Sequence, residues 1–301
     1  MRASASELRR LAPYYGYRAG AALARALPAP IALKVAETAS RVSAPRMSSR
    51  LATSRAHLRR IHGNALSEEA LDRAVASTWK SYARYWTEAF RIASMTRAEL
   101  DAAMSWEGVG HVEEALAAGR GAILAMPHLG GWDFGGAWFA ATGYPSTVVV
   151  ERVDPPELFD FFRDMRRGFG VDVVPLDQHA GAAILGALRR GGIIGLVCDR
   201  DINGQGIPVD FFGAPTTLPA GPATLALRTG AALLPTAVYF DANGQHRGVV
   251  RPPIVTERTG GLREAVTVAT QSLADELEHL IRIAPEQWHV FQPNWPDLVG
   301  R

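Results

Sequence analysis

Cysteine is nearly missing from the 301 residues: Cys198 is the single one. No intramolecular disulfide can form, which fits a reducing compartment rather than a stapled secreted scaffold. Long apolar runs are also missing. The most apolar stretch of the N-terminal part, residues 11–35, is interrupted by Arg18, Arg25 and Lys34 and by Pro13, Pro28 and Pro30, so it holds no run of ~20 uncharged residues able to span a bilayer. Nor does it read as a secretory signal, which needs a compact apolar core followed by a small-residue cleavage site. There is no GxSxG around a serine and no HExxH. His111, His179 and His279 have no partners at metal-ligand spacing, so no metal site is expected. No internal repeat, low-complexity linker or nucleic-acid module is visible.

What is present is an ordinary globular composition, 48% hydrophobic and 21% charged, in a chain long enough to bury roughly 70 to 75% of its unfolded surface without disulfide or metal. The net charge of +2 conceals an uneven distribution. Residues 1–62 carry eleven arginines and one lysine against Glu7 and Glu37, a net +10, while the remainder carries −8. Such asymmetry points to a polyanionic partner, either an anionic membrane face or a nucleic acid. Short Ala-rich helices with arginines beside Tyr14, Tyr15, Tyr17, Leu23 and Leu27 suit an interfacial position; the plainer alternative is a solvated helical arm packed on the domain. The expected organisation is therefore a basic helical arm over 1–62 and a single globular unit over 63–301.

From Ser67 to about Ala103 the periodicity is helical, with Leu71, Val75, Trp79, Tyr82, Trp86 and Phe90 at steps of three and four and acids in the first turn after Ser67. This aromatic stripe is expected in the core. Beyond Gly110, buried strand-like runs at 121–126, 146–150, 171–175, 192–198 and 232–239 alternate with helical stretches at 134–142, 156–169, 180–190 and 220–229, and a final amphipathic helix covers 265–284. Alternation of this kind predicts an α/β fold with a central mixed sheet flanked by helices.

The densest chemical signal is MPHLGGWDFGG at 126–136. A strand ends, a Gly-Gly pair permits a tight turn, and a helix begins near Trp132. His128 and Asp133 are five apart, about 140° around one continuous helix, so the turn is needed to fold His128 back until Asp133 accepts its second ring N–H. A carboxylate placed so fixes the imidazole tautomer and stabilises the imidazolium formed when the other nitrogen takes a proton from a substrate hydroxyl. Backbone N–H groups at the helix start are candidate oxyanion donors. With no serine elbow and with Cys198 inside an apolar strand, where it reads as a small buried hydrophobe, direct attack of a substrate hydroxyl on a bound acyl ester explains the pair better than an acyl-enzyme route.

Together, the HxxxxD block, Glu151-Arg152 after the next strand, the helix LFDFFRDMRRGFG with Arg163, Arg166 and Arg167, the block CDRDINGQGIPVDFFGAPTTLPAGPATLALRTGAALLP and the ending PEQWHVFQPNWP resemble bacterial lysophospholipid-type acyltransferases of the lipid A late-acylation class, in particular the actinobacterial branch acting on phosphatidylinositol mannosides. The resemblance covers nearly the whole chain. It implies a glycerol-phosphate-acyltransferase-like fold, no cofactor, and transfer of a fatty acyl group, with palmitoyl expected, from acyl-CoA (or acyl carrier protein) to a glycophospholipid hydroxyl at the cytoplasmic face of the inner membrane. The implied partners are acyl-CoA, the glycophospholipid and an anionic membrane surface, with no nucleic acid. Carried over, His128 is general base, Asp133 its partner and Asp199, where the mannoside enzymes have Glu, a third catalytic carboxylate, with Asp201 as its competitor. Arg166 is expected to pair with Glu151, and Arg163 and Arg200 to contact substrate.

Each assignment has a plainer alternative. Asp199-Arg200-Asp201 could form a strand-end salt-bridge cluster, Arg163, Arg166 and Arg167 a solvated helix face, and Phe211-Phe212-Gly213 a packed turn. At the level of function, the alternatives are another glycolipid or lysophospholipid acceptor, or a non-catalytic lipid-binding protein, whose mark is an intact tunnel with His128 and Asp133 too far apart to hydrogen-bond and no acyl-CoA hydrolysis in the absence of acceptor.

Overall fold

A computed structural model describes residues 5–63, 65–241, 244–257 and 260–298. Arg2, counted in the basic segment, and short pieces of the 63–301 unit lie outside the described residues.

The basic segment forms three helices, α1 (Ala5–Ala26), α2 (Ala29–Ser43) and α3 (Ser48–His62), with a 3-10 turn at Ala44–Met47. Pro30 sits in the first turn of α2, where the proline's missing N–H would have had no intrahelical acceptor. All three lie against the long helix α4 (Glu68–Ile92). Ser67 caps α4 by accepting the Ala70 N–H at 3.2 Å. Arg91 near its far end donates to the Ala24 and Leu27 carbonyls, satisfying acceptors at the C-terminus of α1 that have no intrahelical partner. The helical pattern over 67–103 is in fact two helices. The chain breaks after Ile92, and Thr96 with Glu99 forms a capping box for α5 (Arg97–Ala102), a local restart signal.

The remainder is an α/β unit. In chain order it runs β1 (Met104–Glu107), α6 (Gly110–Ala117), β2 (Ala122–Met126), α7 (Trp132–Ala141), β3 (Ser146–Val150), α8 (Pro156–Arg167), β4 (Asp172–Pro175), α9 (Ala180–Arg189) and β5 (Ile193–Val197). There follow β6 (Ile207–Phe211), β7 (Ala214–Leu218), α10 (Gly221–Thr229), β8 (Ala232–Phe240), β9 (His246–Val250) and α11 (Leu262–Ile283). Seven strands form one mixed sheet in the order β1-β9-β8-β2-β5-β3-β4, all neighbours parallel except β8 and β9. The central mixed sheet flanked by helices is thus the observed architecture.

Strand β2 is buried on both faces, which is why it reads as an unbroken apolar run. Ile123 and Ala125 face a core shared with α9 and α11, whereas Ala122 and Leu124 face α6 and Phe139 of α7, the two-residue alternation of a pleated strand. β1, β9 and the β6–β7 hairpin are additional to the expected strands. β1 and β9 are short and carry charged residues, so neither presents an apolar run. The hairpin turns at Phe212 (φ 51°) and Gly213 (φ 70°), the positive-φ pair that a two-residue hairpin requires. Phe211 and Phe212 are buried against Trp288 and Trp295, which makes this a packed turn.

Candidate active site

β2 and β5 are parallel neighbours with Met126 opposite Val197, and the Cys198 N–H donates to the Met126 carbonyl at 2.9 Å. Continuing that register by two residues brings His128 and Asp199 together outside the carboxyl ends of adjacent strands, where open α/β sheets place ligands. His128 Nδ1 lies 2.6 Å from Asp199 Oδ1, and the His128 backbone N–H donates to Oδ2 at 2.8 Å. Trp288 Nε1 also donates to Oδ2, at 2.6 Å. Asp199 is fully buried. Burial alone would push its carboxyl up; the adjacent imidazole and the indole and amide donors outweigh that and hold it below the usual carboxylate value.

The Pro127–Gly131 turn is fixed by its glycines. Gly130 has φ +59°, and a Cβ there would lie 2.1 Å from the Val238 carbonyl oxygen, so only glycine fits. The Gly130 N–H donates to the Gln287 carbonyl and the Gly131 N–H to that of Val238. Those of Leu129 and His128 are taken by the Pro127 carbonyl and Asp199. The turn therefore spends its own amides on holding itself in place.

The expected Asp133–His128 hydrogen bond is replaced by a different pairing. Asp133, in the first turn of α7, accepts two hydrogen bonds from Arg166, both at 2.8 Å, and one from the Tyr85 hydroxyl at 2.7 Å. All three side chains are buried. Burial works against the Arg166 charge, but Asp133 and Tyr85 more than restore it and raise its pKa. A five-residue spacing across a helix start points the two side chains of HxxxxD apart, and the neighbouring strand supplies a nearer carboxylate to His128. His128 and Asp133 are thus not bonded to each other, which is one of the marks of a non-catalytic protein, but the imidazole has a carboxylate partner in Asp199.

The expected Arg166–Glu151 pair is likewise exchanged: Glu151 accepts from Arg200 at 2.9 Å. Asp201 accepts from the Gly206 and Asn203 N–H groups and from the Thr217 hydroxyl, so it organises the loop between β5 and the hairpin and leaves the histidine to Asp199. Arg163 is engaged with Asp160 and Asp164 at the surface, the solvated-face arrangement.

A cavity of about 560 Å³ opens at His128, within the range of small-ligand sites. Its polar lining includes His128, Asp133, Arg166, Tyr85, Glu151, Arg200 and His289. The rest is mostly apolar, with Leu124, Phe139, Ile193 and Trp106 of one core cluster together with Val148 and Val238. Tyr82 and Trp86 from the α4 stripe line it too and are only partly buried, so part of the stripe expected in the core is cavity wall. Cys198 also borders it, buried, with its thiol pushed up by that burial and therefore protonated.

Three contributors escaped the sequence reading. Tyr85 falls one residue off the α4 stripe. Trp288 and His289 lie in PEQWHVFQPNWP, conspicuous only as a pattern. His289, buried at the cavity wall, donates its backbone N–H to the His128 carbonyl at 2.7 Å, and burial pushes its imidazole down to about 3.

A buried carboxylate thus holds His128 at the carboxyl edge of a mixed sheet, beside a largely apolar cavity. The chain belongs to the family described as bacterial lipid A biosynthesis acyltransferases, which it matches over residues 4–296. Among its relatives, the phosphatidylinositol mannoside acyltransferase of Mycolicibacterium smegmatis is 37% identical over 287 residues, covering 93% of this chain and 90% of its own length. The protein of that name from Mycobacterium tuberculosis is 38% identical over 229 residues, 74% of this chain and 71% of its own. A lipid A biosynthesis acyltransferase of Haemophilus influenzae is 26% identical over 202 residues, 65% of this chain and 60% of its own.

Proposed function

We propose that this acyltransferase moves a fatty acyl group, palmitoyl as the working length, from acyl-CoA to a sugar hydroxyl of a glycophospholipid, specifically a mannose of a phosphatidylinositol mannoside. The observation that carries the reading is the His128–Asp199 pair at the mouth of the apolar cavity. With Nδ1 committed to Asp199, Nε2 is the nitrogen left to take the hydroxyl proton as the sugar oxygen attacks the thioester carbonyl. Asp199 stabilises the imidazolium, which then protonates the departing thiolate. Because the turn amides have internal acceptors, oxyanion stabilisation falls to the first-turn N–H groups of α7 at Trp132 and Asp133. The acyl tail fills the apolar part of the cavity. The Arg166–Asp133–Tyr85 and Arg200–Glu151 groups supply polar contacts for the sugar. The names of the mycobacterial relatives favour the mannoside acceptor.

The reaction takes place at a membrane surface. No helix among the described residues is long and apolar enough to cross a bilayer. α1 and α2 nonetheless expose Leu8, Tyr15, Leu23, Ile31 and Val42 beside Arg9, Arg18, Arg25 and Lys34, the composition of an interfacial surface. We assign that surface to the cytoplasmic face of the inner membrane. The test is transfer from palmitoyl-CoA to mannosylated phosphatidylinositol, with acyl-CoA hydrolysis followed in parallel without acceptor. His128→Ala, shown to be folded, is expected to lose both activities by at least about 10²-fold; normal turnover by that variant sinks the mechanism.

A further inference from the structure

The segment from Pro285 to Trp295 holds the dyad from outside the two strands that carry it. Trp288 forms a backbone bridge with Leu129, the His289 N–H donates to the His128 carbonyl, and Asn294 Nδ2 donates to the Asp199 carbonyl at 2.9 Å. The most direct contact is the buried Trp288 indole, whose Nε1 reaches Asp199 Oδ2 at 2.6 Å. Oδ2 is the oxygen turned away from the imidazole; Oδ1 faces His128 Nδ1. The indole is itself fixed in an aromatic cluster, with the His57 ring at 5.1 Å and the Trp295 and Phe212 rings at 6.2 Å.

We infer that Trp288 is a positioning residue of the transfer reaction: its indole N–H locks the Asp199 carboxylate with Oδ1 toward His128 and draws part of the negative charge onto Oδ2. This rests on reading His128 as the base. The surroundings make the indole's share large. His57 of α3 is held uncharged by burial, which lowers it to about 4; His289 is uncharged for the same reason, and the Cys198 thiol is protonated. Arg60 of α3 is directed to Asp297 and the Trp295 ring. The groups that answer its charge are therefore the His128 imidazole at Oδ1 and, at Oδ2, the Trp288 N–H beside the His128 backbone N–H. Without the indole, more charge remains on the carboxylate for the imidazolium proton, and the dyad holds that proton to higher pH.

A merely structural tryptophan would act differently, and the cluster contains its own control. Trp295 is equally buried and equally embedded, but its Nε1 donates to the Phe211 carbonyl at 3.0 Å. In the full chain, Trp288→Phe is expected to move the acid limb of kcat/KM upward by about 0.5 to 1 pH unit and to lower the plateau about tenfold, the usual scale for losing a group that orients a reacting one. Trp295→Phe is expected to lower Tm and leave the limb in place. A Trp288→Phe limb that superimposes on the wild type, or an equal displacement in Trp295→Phe, overturns the inference. Should Trp288→Phe fail to fold, the Trp288 indole proton resonance of the wild-type protein decides: titration with the midpoint of the acid limb supports the role, and a pH-independent resonance refutes it. Failure of the underlying reading is a separate result, namely transfer that survives in His128→Ala.

Discussion

Two carboxylates compete for the partnership with His128, and their surroundings separate their tasks. Asp133 answers the buried Arg166 guanidinium, so Asp133→Asn leaves that cation unpaired and is expected to cost about 3 to 5 kcal/mol of stability, seen as a large drop in denaturation midpoint. Asp199→Asn keeps a hydrogen-bonding side chain of the same shape. It is expected to lower kcat by about 10² to 10⁴-fold, because the imidazolium loses its counter-charge; a Tm closer to wild type than that of Asp133→Asn would separate the two roles. Acid stability follows from the buried histidines. Burial depresses His57 to about 4 and His289 to about 3, so each contributes stability that is complete above the ordinary value near 6.5 and is lost as pH falls toward the depressed one. Between pH 6 and 4.5, unfolding free energy is expected to fall by about 1.4 kcal/mol per pH unit for each, and His57→Phe should remove its share of the slope in denaturant titrations.

The strand-turn-helix unit β2–α7 is the element on which the site depends. Gly130→Ala places a methyl group against the Val238 carbonyl at a positive φ, so turnover is expected to fall at least about tenfold through displacement of His128, as measured on protein that retains its circular dichroism spectrum. The strand, the Gly-Gly turn and the helix start of this unit were legible in the sequence because all three are local signals, whereas the partner its turn gives to His128 was not. The β6–β7 hairpin was not: β6 contains Pro208 and Asp210 and β7 contains Pro215, which interrupt the apolar alternation that announces a strand. The break after Ile92 was hidden in a similar way, since Leu100 continues the apolar spacing beyond the capping box.

Across the whole molecule, the +10 segment is not a free tail. Tyr17 packs on Trp86, Phe90 and Phe162, and Arg55 and Arg59 pair with Glu68, so α1–α3 are attached to α4, which lines the cavity. The exposed apolar and basic residues of α1 and α2 therefore sit on the same rigid support as the cavity wall. Ile31→Asp combined with Arg25→Glu is expected to weaken binding to anionic phosphatidylglycerol vesicles by at least about tenfold, with acyl-CoA hydrolysis in detergent unchanged; a matching loss in detergent would refute a purely interfacial role.

Local order in the chain was sufficient for the α/β architecture, the uneven charge and the turn that presents His128, because each is written in neighbouring residues: apolar period, glycine placement, charge count. The partner of His128 was not of that kind. Asp133 is five residues away and turns to Arg166, whereas Asp199 is seventy-one residues away and meets the imidazole because β5 inserts beside β2 in register. The Trp288 donor, farther still along the chain, reaches the same carboxylate through the return of the C-terminal segment. Strand order and chain return are long-range choices of packing, and no spacing along the sequence encodes them.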